Sequence, residues 1–414
     1  MRQVLILGAD GFIGRHLAFD LRQKGWSVTA QARNPARLAA MGFPTLRVDL
    51  TDPVTHASAF WVAQLTEGMA LVNAAGLLTG TEAAFRAVHH DAPAAALQAL
   101  RGPAVLISAV GIDAGTPFAR WRRTTETLFD GHCILRPGLV LGETSYGGSS
   151  LLRALAAMPV RLPVVGGGQQ PFNPIHAADL AEVVAEGLDG DLRGTWDIGG
   201  PEVVTQTDLL SGYRSWLGLP PVPRLHLPAR AAMTLGRVGD ALRLGPVSAT
   251  AVAQLQAGVL AEPAALLTRI KTLPRPVSTF LNARPAGTQD LWQARLYLLK
   301  PLIRLTLAAL WLLSGLIGLA TPAASFAPGL ALPEPLAIAL ARGFGLADLA
   351  LGLALLRNWR PRPVALAQLA LVLGYTLGLG FLAPALWLDP YGGLLKNLPV
   401  LALLLVHLAL AEER

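Results

Sequence analysis

Three glycines near the start of the chain form the first pattern that could bind a ligand. Gly8, Gly11 and Gly14 directly follow the short apolar stretch QVLIL at residues 3–7, and a segment with helical spacing of apolar residues comes next. In a strand–turn–helix unit, such glycines permit a tight turn and let backbone N–H groups approach a pyrophosphate. The spacing is G-x-x-G-x-x-G rather than the commoner G-x-G-x-x-G, but its place after the first predicted strand favours a dinucleotide site.

Arg33 bears on which dinucleotide would bind. It ends the second predicted strand, where enzymes that use NAD often have an acidic residue for the ribose 2′-hydroxyl. An arginine suits a 2′-phosphate instead, so the sequence favours NADP(H) over NAD(H). A solvated surface arginine is the alternative interpretation.

The next three predicted strands each end in residues that could line the same groove. Asp49 and Leu50 end the third strand (TLRVDLTD), Asn73 and Gly76 bound the end of the fourth (ALVNAAG), and Ser108 ends the fifth (AVLISAVG). Ligands of open α/β sheets bind at the carboxyl ends of the strands. We therefore expect these residues to lie around one site.

Further motifs carry a family resemblance. They are LRPGLVLGE at 135–143, FNPIHAADLA at 172–181 and DIGGPEVVTQTDLL at 197–210. With them, residues 1–285 resemble atypical and extended members of the short-chain dehydrogenase/reductase superfamily. The last two motifs are most similar to the branch that contains the reductase-like accessory subunit of respiratory complex I.

The resemblance implies an α/β Rossmann fold, a doubly wound parallel sheet with a small substrate lobe. It places Asp49 and Leu50 by the adenine, the segment 74–76 by the sugars and Ser108 near the nicotinamide. The implied cofactor-binding residues are Gly8, Asp10, Gly11, Phe12, Ile13, Gly14, Arg33, Asp49, Leu50, Ala74, Ala75, Gly76, Ser108 and Arg122.

The family's proton donor is missing. The pattern Tyr-x-x-x-Lys, with a glutamate four residues later, is matched in spacing by Phe118, Arg122 and Glu126. In the family's mechanism the tyrosine passes a proton to or from the substrate oxygen, and the lysine lowers the tyrosine pKa and holds the nicotinamide ribose. Phe118 has no proton to give, whereas an arginine can still hydrogen-bond the ribose. Ser108 and Arg122 remain the candidate catalytic residues.

Other candidates are weaker. No tyrosine occurs between residues 1 and 135, and Tyr146, in the loop ETSYGGSS, is either a substitute acid or a packing residue. We expect His89 and His90 to be solvated or helix-capping and His176 to be structural near the pocket wall. Cys133 is expected to be a buried inert thiol, and no metal-ligand cluster is apparent.

The second half of the chain has a different composition. Charged residues make up only 15% of the whole chain, below the usual quarter, and the shortage is concentrated in 301–411. Four apolar segments follow one another there, at 302–320, 335–356, 364–388 and 394–411. Each is near the length that spans the hydrocarbon, which predicts a four-helix transmembrane bundle.

Basic residues set the expected topology. Arg295, Lys300 and Arg304 precede the first segment, and Arg357, Arg360 and Arg362 lie between the second and third. The positive-inside rule then predicts four crossings, with both termini and the nucleotide domain in the cytoplasm. The short, glycine-interrupted apolar start is not typical of a signal peptide. We attribute the net charge of +7 to contact with the lipid bilayer, because no aromatic-interleaved basic patch indicates nucleic acid.

Residues 288–414 resemble the DoxX-like membrane family. The stretches that carry the likeness are TQDLWQARLYLLKPLIR, ADLALGLALL and WLDPYGGLLKNLPVLALLL. Arg342 and Asp348 fall inside the second apolar segment without sharing a helix face, so each needs a partner elsewhere. Lys396 is the candidate partner for Asp348. A structural ion pair and a quinone, lipid or proton site are the two interpretations.

These observations predict three domains. Residues 1–220 form the Rossmann domain with substrate-lobe elements, 221–290 a helical lobe or amphipathic linker, and 291–414 the DoxX-like bundle. In the linker, Leu227, Ala231, Leu235 and Val238 are predicted to form the apolar stripe of one helix.

Three functions fit this sequence. The first is a membrane-tethered NADP(H)-binding protein whose nucleotide is structural or sensing. The second is an NADPH-dependent oxidoreductase or isomerase acting on a quinone-like or lipid substrate. The third is an assembly or scaffold subunit of a membrane protein complex.

Overall fold

The computed structural model describes residues 2–77, 80–112, 116–244, 247–322, 325, 333–390 and 392–411. The chain divides into two compact units. One contains Met1–Ala232 and Thr250–Leu291, and the other contains Met233–Ala249 and Trp292–Arg414. The C-terminal part of the predicted linker helix therefore groups with the membrane-type helices.

Seven parallel strands form the main sheet of the N-terminal unit, in the order β3-β2-β1-β4-β5-β6-β11. The strands of the protein are β1 Gln3–Leu7, β2 Ser27–Ala32, β3 Thr45–Arg47, β4 Ala70–Asn73, β5 Ala104–Ile107, β6 Cys133–Pro137, β7 Val140–Leu141, β8 Leu162–Val165, β9 Pro171–Phe172, β10 Ile175–His176, β11 Gly194–Ile198, β12 Val204–Thr205 and β13 Arg224–Leu227. The order reverses beside β1, which opens a crevice at the carboxyl ends of β1 and β4. The predicted parallel Rossmann sheet is confirmed.

Short strands pair outside the main sheet. β7 pairs with β10 and β8 with β13 in parallel, and β9 pairs with β12 in antiparallel. All three pairs lie in the N-terminal unit, after β6 in the chain. None of these three pairs includes a residue of the glycine turn.

Helices cover both faces of the sheet. Up to residue 216 the helices are α1 Phe12–Gln23, α2 Ala36–Ala40, α3 Ser58–Val62, α4 Glu82–Arg86, α5 Ala92–Ala99, α6 Pro117–Leu128, α7 Gly148–Ala156, α8 Ala177–Leu188 and α9 Gln206–Trp216. Further along the chain are α10 Ala229–Ala241, α11 Ala249–Ala257, α12 Ala264–Leu267 and α13 Val277–Leu281. A π-helical turn, Ala87–Asp91, joins α4 to α5, and a 3₁₀ turn spans Pro53–His56.

The alternation of side chains along β1 explains the two layers. Val4 and Ile6 face a core shared with α1 and α8, while Leu5 and Leu7 face a second core shared with α3 and α5. A strand with apolar residues on both faces must be covered on both sides. The continuous apolar run of β1 therefore requires the doubly wound architecture.

The second unit is helical. It contains α14 Thr288–Ala320, α15 Glu334–Leu356, α16 Pro361–Leu382 and α17 Asn397–Leu410, with 3₁₀ turns at Pro384–Leu388 and Leu394–Lys396. Three of the helices, α14 to α16, are long and apolar enough to cross a membrane. The apolar stretch Leu394–Leu410 is shorter.

Glycines let α14 and α15 approach closely. A Cβ at Gly315 would lie 2.6 Å from the Gly345 carbonyl oxygen, and one at Gly352 would lie 2.8 Å from the Leu312 side chain. Small residues allow such contacts between helices that cannot rely on the hydrophobic effect in lipid. These positions specify the packing of the first two long helices.

The predicted helix is present as α10, but Leu227 is not part of it and the other residues of the predicted apolar stripe are not buried. Leu227 belongs to β13, and Leu235 and Val238 are 55% and 48% exposed. The buried face instead contains Gly236 and Gly239, because the backbone at 247–249 runs against it; a Cβ at Gly239 would lie 1.8 Å from the Val247 oxygen. The close approach of the backbone at 247–249 therefore decides which face of α10 is buried.

The ion pair expected between Asp348 and Lys396 is also absent from the described residues. The Asp348 carboxylate accepts hydrogen bonds from Ser314 Oγ at 2.7 Å and Tyr375 Oη at 3.1 Å. Arg342 donates to the carbonyl oxygens of Gly318, at 2.8 Å, and Thr321, also at 2.8 Å. Hydroxyls and the free carbonyls at the end of α14 satisfy these groups, so no second charge is needed.

Candidate dinucleotide site

The glycine turn has the geometry that the sequence predicts. Gly8 has φ +74°, and a Cβ there would lie 2.7 Å from Ala75 Cα. A Cβ at Gly14 would lie 2.3 Å from the Gly8 oxygen, so helix α1 could not pack against the turn with a larger residue. Gly11 precedes α1, and no side chain among the described residues caps it. The N–H groups at this helix start can therefore face a phosphate.

Gln31 holds the turn in place, which the sequence analysis missed. Its Oε1 accepts from Gly8 N–H at 2.8 Å, and its Nε2 donates to the Val48 oxygen at 2.7 Å. The side chain is buried, at 2% exposure. The available signal was a glutamine within the otherwise apolar carboxyl end of β2, which has no reason to be buried unless it is paired.

Basic side chains gather beyond the end of β2. Arg33 is exposed directly after the strand, and Arg37 Nη1 lies 3.6 Å from the Asp10 carboxylate. Burial and the charge of Arg37 lower the pKa of Arg15, against the opposing effect of Asp10. Arg15 and Arg37 therefore lie near the Asp10 carboxylate beside the glycine turn. Arg33 acts on Asp49, and the excess positive charge suits a phosphate.

The residues predicted beside the adenine differ from each other. β3 ends at Arg47, earlier than expected, and Asp49 caps a turn by accepting from Thr51 N–H at 3.0 Å. That hydrogen bond, with a contribution from Arg33, lowers the pKa of Asp49. Leu50 is buried in the core shared with α3 and α5, so only its backbone can reach the groove.

The end of β4 crosses closely over the glycine turn. Ala74 N–H donates to the Leu7 oxygen at 3.1 Å, and buried Asn73 accepts from Ala75 N–H at 3.1 Å. The side chain of Ala75 packs into the core, whereas Gly76 is exposed. Phe12 and Ile13, on α1, are only partly buried.

Ser108 belongs to a hydrogen-bonded chain. Its hydroxyl donates to Glu126 Oε1 at 2.5 Å, and Arg136 donates to both carboxylate oxygens of Glu126, at 2.8 and 2.5 Å. Ser108 follows β5 directly, Glu126 lies on α6 and Arg136 on β6. The spacing of Phe118, Arg122 and Glu126 on α6 points Glu126 into the sheet, where it fixes the serine hydroxyl.

Arg122 is buried one helical turn before Glu126. It is 5% exposed, and its Nη2 donates to the Ala75 oxygen at 3.3 Å. The guanidinium carbon lies 5.5 Å from the centre of the Phe118 ring. Within the described residues, Nε and Nη1 have no hydrogen-bond partner. Burial lowers its pKa to about 10, so it remains a cation with two unused donors at neutral pH.

His89 completes this cluster, and the interpretation of it as solvated or helix-capping is wrong. It is 1% exposed in the π-helical turn, and its Nε2 accepts from Leu77 N–H at 3.0 Å. Burial, followed by the charge of Arg122, lowers its pKa to about 3. A π-helical turn often marks a functional position, and it was not apparent from the sequence.

Tyr146 and His176 lie elsewhere in the unit. Tyr146 is 65% exposed. His176 caps α8 by accepting from Ala178 N–H at 3.2 Å and lies 3.3 Å from the Glu143 carboxylate. Together with Arg153 and Trp216, Glu143 and His176 line a cavity of about 140 Å³. Cys133 is buried in β6, where burial raises its pKa to about 12, so it is an inert thiol.

Two family matches and one relative are found by sequence. Residues 4–95 match the NAD-dependent epimerase/dehydratase family, and residues 308–405 match the DoxX-like family. The chain is 27% identical over 263 residues to the mitochondrial NADH dehydrogenase [ubiquinone] 1 alpha subcomplex subunit 9 of Arabidopsis thaliana. That match covers 56% of this chain and 62% of the plant protein's length.

Solved structures share the fold of the N-terminal unit. The NADPH-dependent quinone oxidoreductase QOR2 of Escherichia coli, solved with NADPH, matches with a TM-score of 0.51 at 20% identity, over 68% of this chain and 99% of its own. The Bordetella bronchiseptica enzyme WbmH, solved with NAD⁺, matches with a TM-score of 0.50 at 16% identity, over 68% of this chain and 97% of its own. At these identities the likeness is one of fold.

The glycine turn, the sheet order and the family matches lead to one conclusion. The N-terminal unit is a Rossmann fold that is similar to the NAD-dependent epimerase/dehydratase family over residues 4–95 and to the complex I subunit, and residues 308–405 are similar to the DoxX-like family.

Proposed function

We propose that the protein is a membrane-tethered NADP(H)-binding protein whose nucleotide is a structural or sensing ligand. One observation supports this proposal: Arg122 is a buried cation beside Phe118. By the resemblance in spacing, these two residues correspond to the lysine and tyrosine of the superfamily's reductases. A buried arginine can bind a ribose or phosphate oxygen, but it does not release a proton near neutral pH. The Ser108 hydroxyl donates its hydrogen bond to Glu126, so its hydrogen is not directed at a substrate oxygen.

The preference for NADP(H) rests on charge. Arg33 is exposed after β2, and a 2′-phosphate would give it a dianionic partner. Arg33→Ala is expected to weaken NADPH binding roughly tenfold, the effect of about one lost charge-assisted hydrogen bond, while leaving NADH binding unchanged. Arg101→Ala is the matched control, because Arg101 is exposed before β5, at the opposite end of the strands. Equal losses for both nucleotides would exclude a 2′-phosphate contact.

The role of the nucleotide is tested on full-length protein in mild detergent. Bound dinucleotide is identified after denaturation, and NADPH absorbance is then followed after addition of decylubiquinone or total lipid extract. A structural role predicts an unchanged absorbance together with a raised unfolding temperature, since a ligand bound only to the folded state stabilises it. Steady loss of absorbance would overturn this role.

An NADPH-dependent oxidoreductase or isomerase acting on a quinone-like or lipid substrate is the second candidate. The two unused donors of Arg122 favour it, because they could bind a carbonyl oxygen while water supplies the proton. Arg122→Met would then lower turnover more than nucleotide affinity. For a structural nucleotide, the same change lowers affinity only.

Resemblance to a complex I subunit supports a third candidate, a subunit of a membrane complex. Copurification of partners in a fixed ratio from detergent extract is the expected result. A protein that remains alone at native expression levels would exclude it.

We also propose the domain boundaries and topology. Residues 1–220, 221–290 and 291–414 are assigned to the Rossmann domain, the linker lobe and the membrane domain. Four crossings, with both termini in the cytoplasm, follow from the basic residues at 295–304 and 357–362, with α17 as the short fourth crossing. A reporter that is active only in the cytoplasm should then be active when it is fused after residue 414, and a reporter that requires export should be inactive there.

A further inference from the structure

Four polar side chains are buried inside the C-terminal unit with polar atoms unsatisfied. Arg304 and Trp311 lie on α14, Gln368 on α16 and His407 on α17, and they are 6%, 3%, 0% and 3% exposed. Across the described residues, no hydrogen-bond partner is found for Arg304 Nε, Trp311 Nε1, both amide atoms of Gln368 or both ring nitrogens of His407. We call these four residues the polar seam.

The residues of the polar seam border one apolar core that α14, α16 and α17 share. Trp311 packs in a core with Leu307, Val364, Val372 and Leu404. On α16, Gln368 is four residues from both Val364 and Val372, so its side chain projects from the same face.

The other two members lie on α14 and α17. Arg304 is three residues before Leu307, and His407 is three residues after Leu404, so each projects toward the same core. Leu307 of α14 and Leu404 of α17 belong to the same core cluster.

Unpaired buried polar atoms are costly. Each one left unsatisfied destabilises a fold by about 1–3 kcal/mol, and a lipid-exposed bundle has no bulk water to compensate. Two other buried polar groups of the same unit are satisfied, although Gln293 Oε1, near the start of α14, has no partner among the described residues. Asp348 binds Ser314 and Tyr375, and Thr376 accepts from Asn397 at 2.9 Å. Six of the unsatisfied buried atoms of this unit thus belong to the four residues of the polar seam.

We propose that the polar seam binds a lipid-soluble molecule whose polar end offers carbonyl oxygens. Arg304 Nε and Trp311 Nε1 offer one N–H each, the Gln368 amide offers two and a neutral His407 ring one, against one acceptor on Gln368 and one on His407. This excess of donors suits a ligand that accepts, and the apolar walls suit a ring or hydrocarbon chain. The site lies entirely in the C-terminal unit and does not depend on the dinucleotide.

Thermal unfolding of the full-length protein in mild detergent tests the site. Decylubiquinone is the probe, since it has two carbonyl oxygens. Its reduced form carries hydroxyl groups at those positions, and decylbenzene lacks them. The quinone should raise the unfolding temperature with concentration, the reduced form should raise it less, and decylbenzene should not change it.

Two variants assign the effect to the polar seam. Gln368→Leu and His407→Phe should each weaken quinone binding at least tenfold. They should unfold no earlier than wild type without ligand, because each replaces unpaired polar atoms by apolar ones. Leu373→Met is the control, since Leu373 is 45% exposed on α16 and its variant should keep the full shift.

Other outcomes overturn the proposal. Equal shifts with decylubiquinone and decylbenzene would show that only apolar partitioning occurs. A full quinone shift in both variants would place binding elsewhere. Stabilised variants combined with no quinone shift in wild type would mean that the polar seam holds water alone.

Discussion

Arg122 lies in the space that a side chain at Gly76 would occupy. Its Nη2 donates to the Ala75 oxygen at 3.3 Å, and a Cβ at Gly76 would lie 2.3 Å from that same nitrogen. The guanidinium cannot move freely, because Arg122 is 95% buried between Phe118 and the end of β4. The observed position of Arg122 on α6 therefore requires a residue without a side chain at position 76.

Gly76→Ala should consequently displace Arg122. We expect a loss of about 1–3 kcal/mol in unfolding free energy, as for overpacked cores, and weaker NADPH binding. Unfolding in urea and a fluorescence titration with NADPH measure the two effects. In an Arg122→Met background, the added methyl group should have much less effect; an undiminished loss in the double variant would contradict the dependence.

The glycine turn can be tested with a matched pair of glycines. Gly8 and Gly25 have φ of +74° and +81°, but only at Gly8 would a Cβ meet another backbone, within 2.7 Å of Ala75. Gly25→Ala should cost about 1–2 kcal/mol from the left-handed conformation alone. Gly8→Ala should cost clearly more and abolish nucleotide binding. Similar unfolding temperatures for the two variants would show that the contact with Ala75 is relaxed.

Gln31→Leu tests the two side-chain hydrogen bonds by which Gln31 holds the glycine turn. The change leaves the Gly8 N–H and the Val48 carbonyl without the side-chain partner shown in the structure, which should destabilise the fold by about 1–3 kcal/mol. Nucleotide affinity should fall as well, because Gly8 is at the phosphate turn. Gln23→Leu, at the exposed end of α1, is the control and should change stability by about 0.5 kcal/mol or less. An unchanged nucleotide affinity in Gln31→Leu would show that the hydrogen bonds of Gln31 do not affect nucleotide binding.

His89 should make stability depend on pH. Its pKa is about 3 in the folded protein and near 6.5 when unfolded, so the unfolded chain binds more protons between these values. Stability from this group is therefore present above pH 6.5 and lost as the pH falls toward 3. His89→Gln should flatten the fall in unfolding temperature between pH 6.5 and pH 4. His90→Gln is the control, because the side chain of His90 is 38% exposed; an equal flattening in both variants would contradict the assignment.

The sequence determined the parts of the structure that depend on near neighbours in the chain. The apolar run of β1, the glycines after it and the helical spacing of α1 predicted the phosphate turn where it is found. The alignment of Phe118, Arg122 and Glu126 on one helix likewise followed from their spacing of four. Long apolar runs predicted α15 to within one residue of its observed bounds, whereas α14 begins 14 residues before its predicted start and α16 ends six residues before its predicted end.

The tertiary structure alone decided which distant groups meet. Gln31 reaches Gly8, His89 joins Arg122, and Asp348 takes hydroxyls in place of Lys396. The buried face of α10 was set by a backbone that crosses its glycines, against the apolar pattern of the helix itself. Local patterns arise from chain geometry over a few residues, whereas hydrogen-bond partners and burial depend on which separate segments come within a few ångströms of each other.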